Sequence, residues 1–144
     1  MEINQPPFTI TTDKSRIDLG EVHRFLSTET YWAKNIPLEI VQRSVDHSLC
    51  FSLFYESRQI GFARIITDKA TFAYMSDVYI LKDFRGKGLS KWLVQEMMSH
   101  PDLQGIRRFV LVTYDAQSLY EQFGFRKVAH PERYMEIIKE KIYE

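Results

Sequence analysis

Asp77-Val78-Tyr79-Ile80-Leu81-Lys82-Asp83-Phe84-Arg85-Gly86-Lys87-Gly88-Leu89-Ser90 is the stretch on which the fold turns. It reads as strand, tight loop, helix. Lys82 to Lys87 break the strand pattern, and Leu89, Trp92, Leu93 and Met97 then fall on one helical face. The first turn of a helix carries unpaired N–H groups, and the macrodipole adds partial positive charge there. Together these bind phosphate. Gly86 and Gly88 have no Cβ, so the backbone can come close to a pyrophosphate, and Arg85 and Lys87 add charge beside it. On its own, such a Gly-x-Gly also reads as a plain turn. A P-loop is excluded because Leu89 follows Gly88 where Lys is required. A dinucleotide fingerprint is excluded because Lys91 occupies the third glycine position.

Working outward, Ala70 to Leu81 reads as one long strand. Gln59 to Thr67 precedes it, and the turn Glu56-Ser57-Arg58 joins that strand to Leu49–Tyr55. Three strands with short links make an antiparallel meander. Further upstream, Phe8 to Thr11 alternates as a short strand. Asp18 with Glu21 resembles a capping box ahead of a helix carrying Leu19, Val22, Phe25 and Leu26. A loop from Thr28 to Ile36 follows, and Pro37 opens a second helix with Leu38, Val41 and Val45 on one face.

Downstream, His100-Pro101 ends the helix begun at Leu89, and Arg108 to Thr113 reads as a strand. A helix between this strand and the long one is a crossover, which makes the two parallel. Asp115 is placed to cap a helix from Ala116 to Phe123, stopped by Gly124. Phe125 to Val128 and Tyr134 to Lys139 read as final strands. The expected fold is α/β (α+β), a mixed, mostly antiparallel twisted sheet flanked by helices, in one domain spanning residues 1–144.

Bulk composition agrees with a folded domain: 44% of the residues are hydrophobic and 14% aromatic, where disordered chains are poor in both. Nineteen Lys and Arg balance nineteen Asp and Glu, so no global field draws nucleic acid or an anionic membrane. Cys50 is the single cysteine and lies in the apolar run Leu49-Cys50-Phe51, which reads as a buried side chain. No apolar run is long enough to cross a bilayer, and Met1 to Gln5 lacks the basic and apolar regions of a signal peptide. The expectation is a cytoplasmic protein without nucleic-acid or membrane partners, as a monomer or a homodimer. No His/Cys pair has ligand spacing, so no metal is expected.

The phosphate loop resembles that of the GNAT superfamily of N-acetyltransferases, which carries Arg/Gln-x-x-Gly-x-Gly/Ala at this junction. The match is Arg85-x-x-Gly88-x-Ser90, with Ser90 standing where Gly or Ala is usual. A second segment, Leu119-Tyr120-Glu121-Gln122-Phe123-Gly124-Phe125, is similar to the family's Tyr-x-x-x-Gly-Phe. Tyr31-Trp32, Gly61 to Arg64, Phe72-Ala73-Tyr74 and Asp77-Val78 also resemble a subgroup of small members. The resemblance follows nearly the whole chain in element order.

It implies acetyl-CoA as co-substrate, with Val78, Tyr79 and Ile80 pairing with the pantetheine arm. Arg85, Gly86, Lys87, Gly88, Leu89 and Ser90 would hold the pyrophosphate. Asp115 stands where the family often has Asn, as a cofactor contact or an N-cap. It places Tyr120 near the sulfur, where a phenol with an ordinary pKa of about 10 can protonate the leaving thiolate. The base that takes the amine's proton is open between Asp77, Glu29 and a water chain. The acceptor side falls on Glu29, Tyr31, Trp32, Tyr74 and Ser76, and the implied acceptor is an amine of a small molecule or a protein. The aromatics there line a pocket or pack under the loop. An acyl-CoA-binding sensor without turnover is the competing reading, and a pure binder has no need of a proton donor such as Tyr120.

Overall fold

Asp18 starts the first helix as its spacing predicts: its carboxylate accepts the Glu21 N–H at 3.1 Å. The reciprocal half of the box is missing. Asp18 N–H donates instead to Gln59 Oε1 at 2.7 Å, and Arg24 holds the Glu21 carboxylate at 2.8 Å. The computed structural model describes residues 1–144, and in it this helix, α1, spans Leu19–Glu29 with Val22, Phe25 and Leu26 buried. Pro37 is the N-cap of α2, Leu38–Asp46, which buries Val41 and Val45 and leaves Leu38 at its open end, 48% exposed. α3, Leu89–Ser99, buries Leu89, Trp92, Leu93 and Met97, the predicted face, together with Val94. No helix is long and apolar enough to cross a membrane.

Six strands form one sheet in chain order. They are β1 Glu2–Gln5, β2 Phe8–Thr11, β3 Leu49–Tyr55, β4 Arg58–Thr67, β5 Phe72–Ile80 and β6 Arg108–Leu111. Neighbours from β1 to β5 are antiparallel, and β5 pairs with β6 in parallel. The crossover argument therefore holds. β3 buries five consecutive residues, Cys50 to Phe54, which requires cover on both faces of the sheet. Cys50 lies in this layer, where burial pushes its thiol up to about 11 and keeps it protonated.

Several elements differ from the sequence expectation. β1 was not expected, because Glu2, Asn4 and Gln5 carry no strand pattern. It forms through backbone pairing with β2, Glu2 opposite Thr11, at an edge open to water. Phe125 to Val128 is not a strand. The Phe125 N–H is spent on the Tyr120 carbonyl and the Gly124 N–H on Glu121, closing α4, Gln117–Glu121, as a Schellman turn with Gly124 at φ +92°. Tyr134 to Lys139 is not a strand either; it finds no ladder partner, and Met135 and Ile137 stand 97% and 94% exposed. Asp115 does not cap α4, whose N-cap is Ala116 without a side-chain bond. Thr113 Oγ1 accepts the Ala116 N–H at 3.0 Å and takes the local role.

His100 ends α3 with a consequence for pH. Its ring stands edge-on to Phe51 at 5.6 Å, is 8% exposed, and accepts the Asp102 N–H through Nδ1 at 3.1 Å. Burial holds its pKa below the ordinary 6.5. The fold thus keeps the ring neutral while the unfolded chain takes the proton, so stability is lost as pH falls below about 6.5. His100→Asn keeps an acceptor for Asp102 and is expected to flatten the fall in Tm between about pH 7 and 5, read by thermal melts.

Candidate active site

The parallel pairing stops early. Its last pair is Met75 with Leu111, yet β5 runs on through Ser76, Asp77, Val78 and Tyr79 to Ile80. β6 ends at Leu111, so over those residues β5 has no ladder partner on the β6 side and its edge is unpaired. On its other side β5 bulges. Phe62 pairs with Tyr79 and Arg64 with Ser76, so Ala63 alone faces Asp77 and Val78. Asp77 occupies the bulge at φ +54°, a conformation uncommon outside glycine.

Side chains from two other elements hold it there. Arg64 Nε donates to Asp77 Oδ2 at 2.9 Å, and the Trp32 indole N–H donates to Oδ1 at 3.0 Å. The Arg64 guanidinium also reaches Ser48 Oγ at 3.1 Å and Ser76 Oγ at 3.2 Å. Both Asp77 oxygens are therefore engaged in a carboxylate only 9% exposed. Ser48 is not singled out by the sequence, and Arg64 enters there only as the last residue of the Gly61 to Arg64 resemblance, without a role. A signal for Arg64 exists: it is the only charge between Gln59 and Thr67, opposite a strand carrying a single Asp.

Past β5 the loop closes on itself. Leu81 N–H donates to Ile60 O at 2.8 Å, Phe84 N–H to Leu81 O, and the Arg85 side chain Nε to Ile80 O at 2.8 Å. Gly86 and Gly88 sit at φ +79° and +77°, which non-glycine residues adopt only under strain. A Cβ at either would meet nothing within 4 Å, so both face open space. Gly88 is the N-cap of α3 and supplies no side chain, which leaves the first-turn N–H groups free for an anion. Lys87 is exposed beside them, and Ser90 is half-buried. Ile80 and Leu89 are buried, and Tyr79 stacks on Phe25 at 3.7 Å, so these three offer the site their backbone only. Val78 is half-buried on the unpaired stretch of β5.

α4 follows β6 beyond the carboxyl ends of the parallel pair, the same end at which β5 enters the glycine loop. Its Tyr120 is 8% exposed and packs edge-on to Phe125 at 5.9 Å. Burial alone raises its pKa above 10. Tyr120 also borders an open cavity of about 480 Å³ with Phe109, Leu111 and Phe125, and no glycine-loop residue lines that cavity. Asp115 is exposed.

The residues expected on the acceptor side divide. Glu29 is exposed and paired with Arg24 at 3.2 Å. Tyr31 and Trp32 project from a stapled loop: Thr30 Oγ1 donates to Leu26 O and accepts the Ala33 N–H, and Asn35 N–H reaches Ser27 O. Tyr31 meets Trp32 at 5.1 Å and Tyr114 at 6.4 Å, both edge-on. Tyr114 was not foreseen. Tyr74 and Ser76 are half-buried on β5, and burial next to the Asp77 charge raises the Tyr74 pKa. No group of three or more His, Cys, Asp or Glu side chains converges to hold a metal ion.

Comparison with known proteins agrees with this geometry. The family model described as an acetyltransferase (GNAT) domain matches residues 46–127. The chain is 35% identical over 118 residues to the uncharacterized N-acetyltransferase ycf52 of Gracilaria tenuistipitata var. liui, spanning 77% of this chain and 63% of the relative. A crystal structure from Xanthomonas campestris pv. campestris, assigned to the GNAT family, is 50% identical with TM-score 0.93. The match covers 97% of this chain and 99% of that one. A Clostridium acetobutylicum acetyltransferase solved with acetyl-CoA shares the fold at TM-score 0.68 and 15% identity, covering 96% of each chain.

Proposed function

The chain belongs to the GNAT family of acetyltransferases, and from that premise we propose that it moves an acetyl group from acetyl-CoA to a primary amine by direct attack on the thioester. One observation carries the reading: a strand edge that loses its partner after Met75 leads straight into two positive-φ glycines and an uncapped helix N-terminus.

The residues present fit the co-substrate. An extended arm with amide groups can pair with the free edge of Val78 to Ile80. The N–H groups of Gly86, Gly88, Leu89 and Ser90 supply donors for a pyrophosphate, in space that any side chain at the two glycines would enter. Arg85 is braced by Ile80 O through Nε, so its terminal nitrogens and Lys87 add charge around the loop. Asp115, exposed past β6, would be a peripheral contact.

Acetyl-CoA supplies the activated acyl carbon. The amine lone pair forms the C–N bond, the C–S bond breaks, and the electron pair leaves on sulfur. Tyr120 is the proton donor for that thiolate; a phenol pushed above 10 keeps its proton at neutral pH. Asp77 is poorly suited as base because both its oxygens already accept hydrogen bonds. Glu29 is held by Arg24. The amine proton therefore leaves through water, and Asp77 serves position.

Calorimetric titration with acetyl-CoA and, separately, with ATP tests the assignment, followed by thiol release over a panel of amines. Saturable acetyl-CoA binding with weak ATP binding, and thiol release with an amine, are expected. Folded protein that binds no acetyl-CoA would remove the reading, and binding without thiol release for any amine would turn it into a sensor.

A further inference from the structure

Three aromatic rings stand in water: Tyr31 is 72% exposed, Trp32 50% and Tyr114 84%. They form one edge-to-face row, Trp32 to Tyr31 to Tyr114. Trp32 hangs on the β5 bulge through Asp77, and Tyr114 follows the end of β6, so the row runs from the bulge to the chain leaving β6. Contiguous exposed aromatic surface marks a contact site.

The charges around the row narrow what it contacts. Asp77 is committed to Arg64 and Trp32, and Glu29 to Arg24. Glu136, whose field reaches Tyr74, is exposed to water and screened by it. The row therefore presents ring faces and edges without a desolvated free carboxylate. A polycation needs several carboxylates to hold it; an apolar body with one ammonium group needs only the rings.

We propose that Tyr31, Trp32 and Tyr114 dock a primary monoamine carried on an aromatic or apolar body, and that Asp77, held by Arg64, is the positioning residue that sets Trp32 in this platform. The chemistry that follows docking rests on the acetyl-transfer reading above; the docking does not. Asp77 reaches Trp32 across 45 positions of sequence and Arg64 across 13, so one carboxylate ties the acceptor loop to the bulged strand. Removing it frees the indole while leaving the glycine loop and α3 untouched.

The test uses the full chain with Trp92→Phe, which leaves Trp32 as the only tryptophan. The Trp92 indole N–H is buried without an acceptor, so phenylalanine forfeits no hydrogen bond there. Trp32 emission is followed during titration with 2-phenylethylamine and with spermidine, with and without CoA. A saturable change at least about ten-fold tighter for phenylethylamine is expected, weakened about ten-fold by Tyr114→Ala. Asp77→Asn is expected to raise acrylamide quenching of Trp32 and to weaken the amine about ten-fold, while the pH profile of kcat keeps its acid limb. Should Asp77→Asn fail to fold, Trp32→Phe, which removes the indole N–H at a half-exposed site, decides: the amine KM rises several-fold with kcat nearly unchanged. Spermidine binding as tightly as phenylethylamine overturns the ligand class. Unchanged Trp32 quenching in folded Asp77→Asn, or an unchanged amine KM in Trp32→Phe, overturns the role of Asp77. Failure of acetyl transfer itself would appear as absent acetyl-CoA binding or as binding without thiol release, with amine docking still readable on Trp32.

Discussion

Gly88→Val is expected to weaken acetyl-CoA binding by at least about 100-fold, the scale of losing two charge-assisted hydrogen bonds. Two effects act together. A branched Cβ enters the open space in front of the α3 N-terminus, where the phosphate would sit. The φ of +77° also becomes strained, so the backbone relaxes and turns its N–H groups away. In the free protein nothing lies within 4 Å of that Cβ, so the damage to stability is backbone strain, roughly 1–2 kcal/mol. Gly105 separates strain from binding. It has φ +80°, equally open surroundings, and a position in the loop before β6. Gly105→Val should lower Tm by a similar few degrees and bind acetyl-CoA normally. Calorimetry on both variants settles the matter, and normal affinity in folded Gly88→Val would sink the assignment of the loop.

Tyr120→Phe is expected to lower kcat by about 100-fold while acetyl-CoA affinity stays within about two-fold, because a proton donor acts on the leaving thiolate and not on the bound thioester. The fold should tolerate it. The hydroxyl's shift comes from burial with no hydrogen-bond contribution, and the ring's contact with Phe125 survives in phenylalanine. The pH dependence has a definite sign. Burial raises the phenol's pKa, so the proton-donating form persists beyond the ordinary phenol range. Wild-type kcat should therefore show no loss attributable to Tyr120 below about pH 10. Unchanged kcat in Tyr120→Phe across the pH range would falsify the general-acid role.

What was legible in the sequence was local. The meander β3 to β5 follows from alternation and short turns, and α1 and α3 follow from a cap and an apolar face. The glycine loop was legible because each ingredient sits within a few residues: strand end, positive-φ glycines, helix start. Errors arose wherever a segment's state depends on a partner. Residues 125–128 and 134–139 have the composition of strands, but strand propensity reports a fit to a pleated surface and cannot supply the neighbouring edge. β1 has no such composition and forms because β2 offers it one. Asp115 is able to cap, but the path of the chain leaving β6 leaves the α4 N-cap to Ala116, whose own N–H goes to Thr113 Oγ1.

The same division runs through the site. The sequence by itself determined the sheet's meander, its parallel crossover and the glycine turn that opens α3, since dihedral preferences and helix-end N–H groups act over a few residues. Only the tertiary structure decided what Asp77 is. The register of β4 on β5 sets Arg64 beside it, the bulge turns it to positive φ, and the stapled loop brings in Trp32. A carboxylate's role follows from which groups occupy its oxygens, and here those groups come from two separate elements, neither of them the strand that carries Asp77. No local pattern encodes that, because a buried charge takes its partners from space and not from sequence.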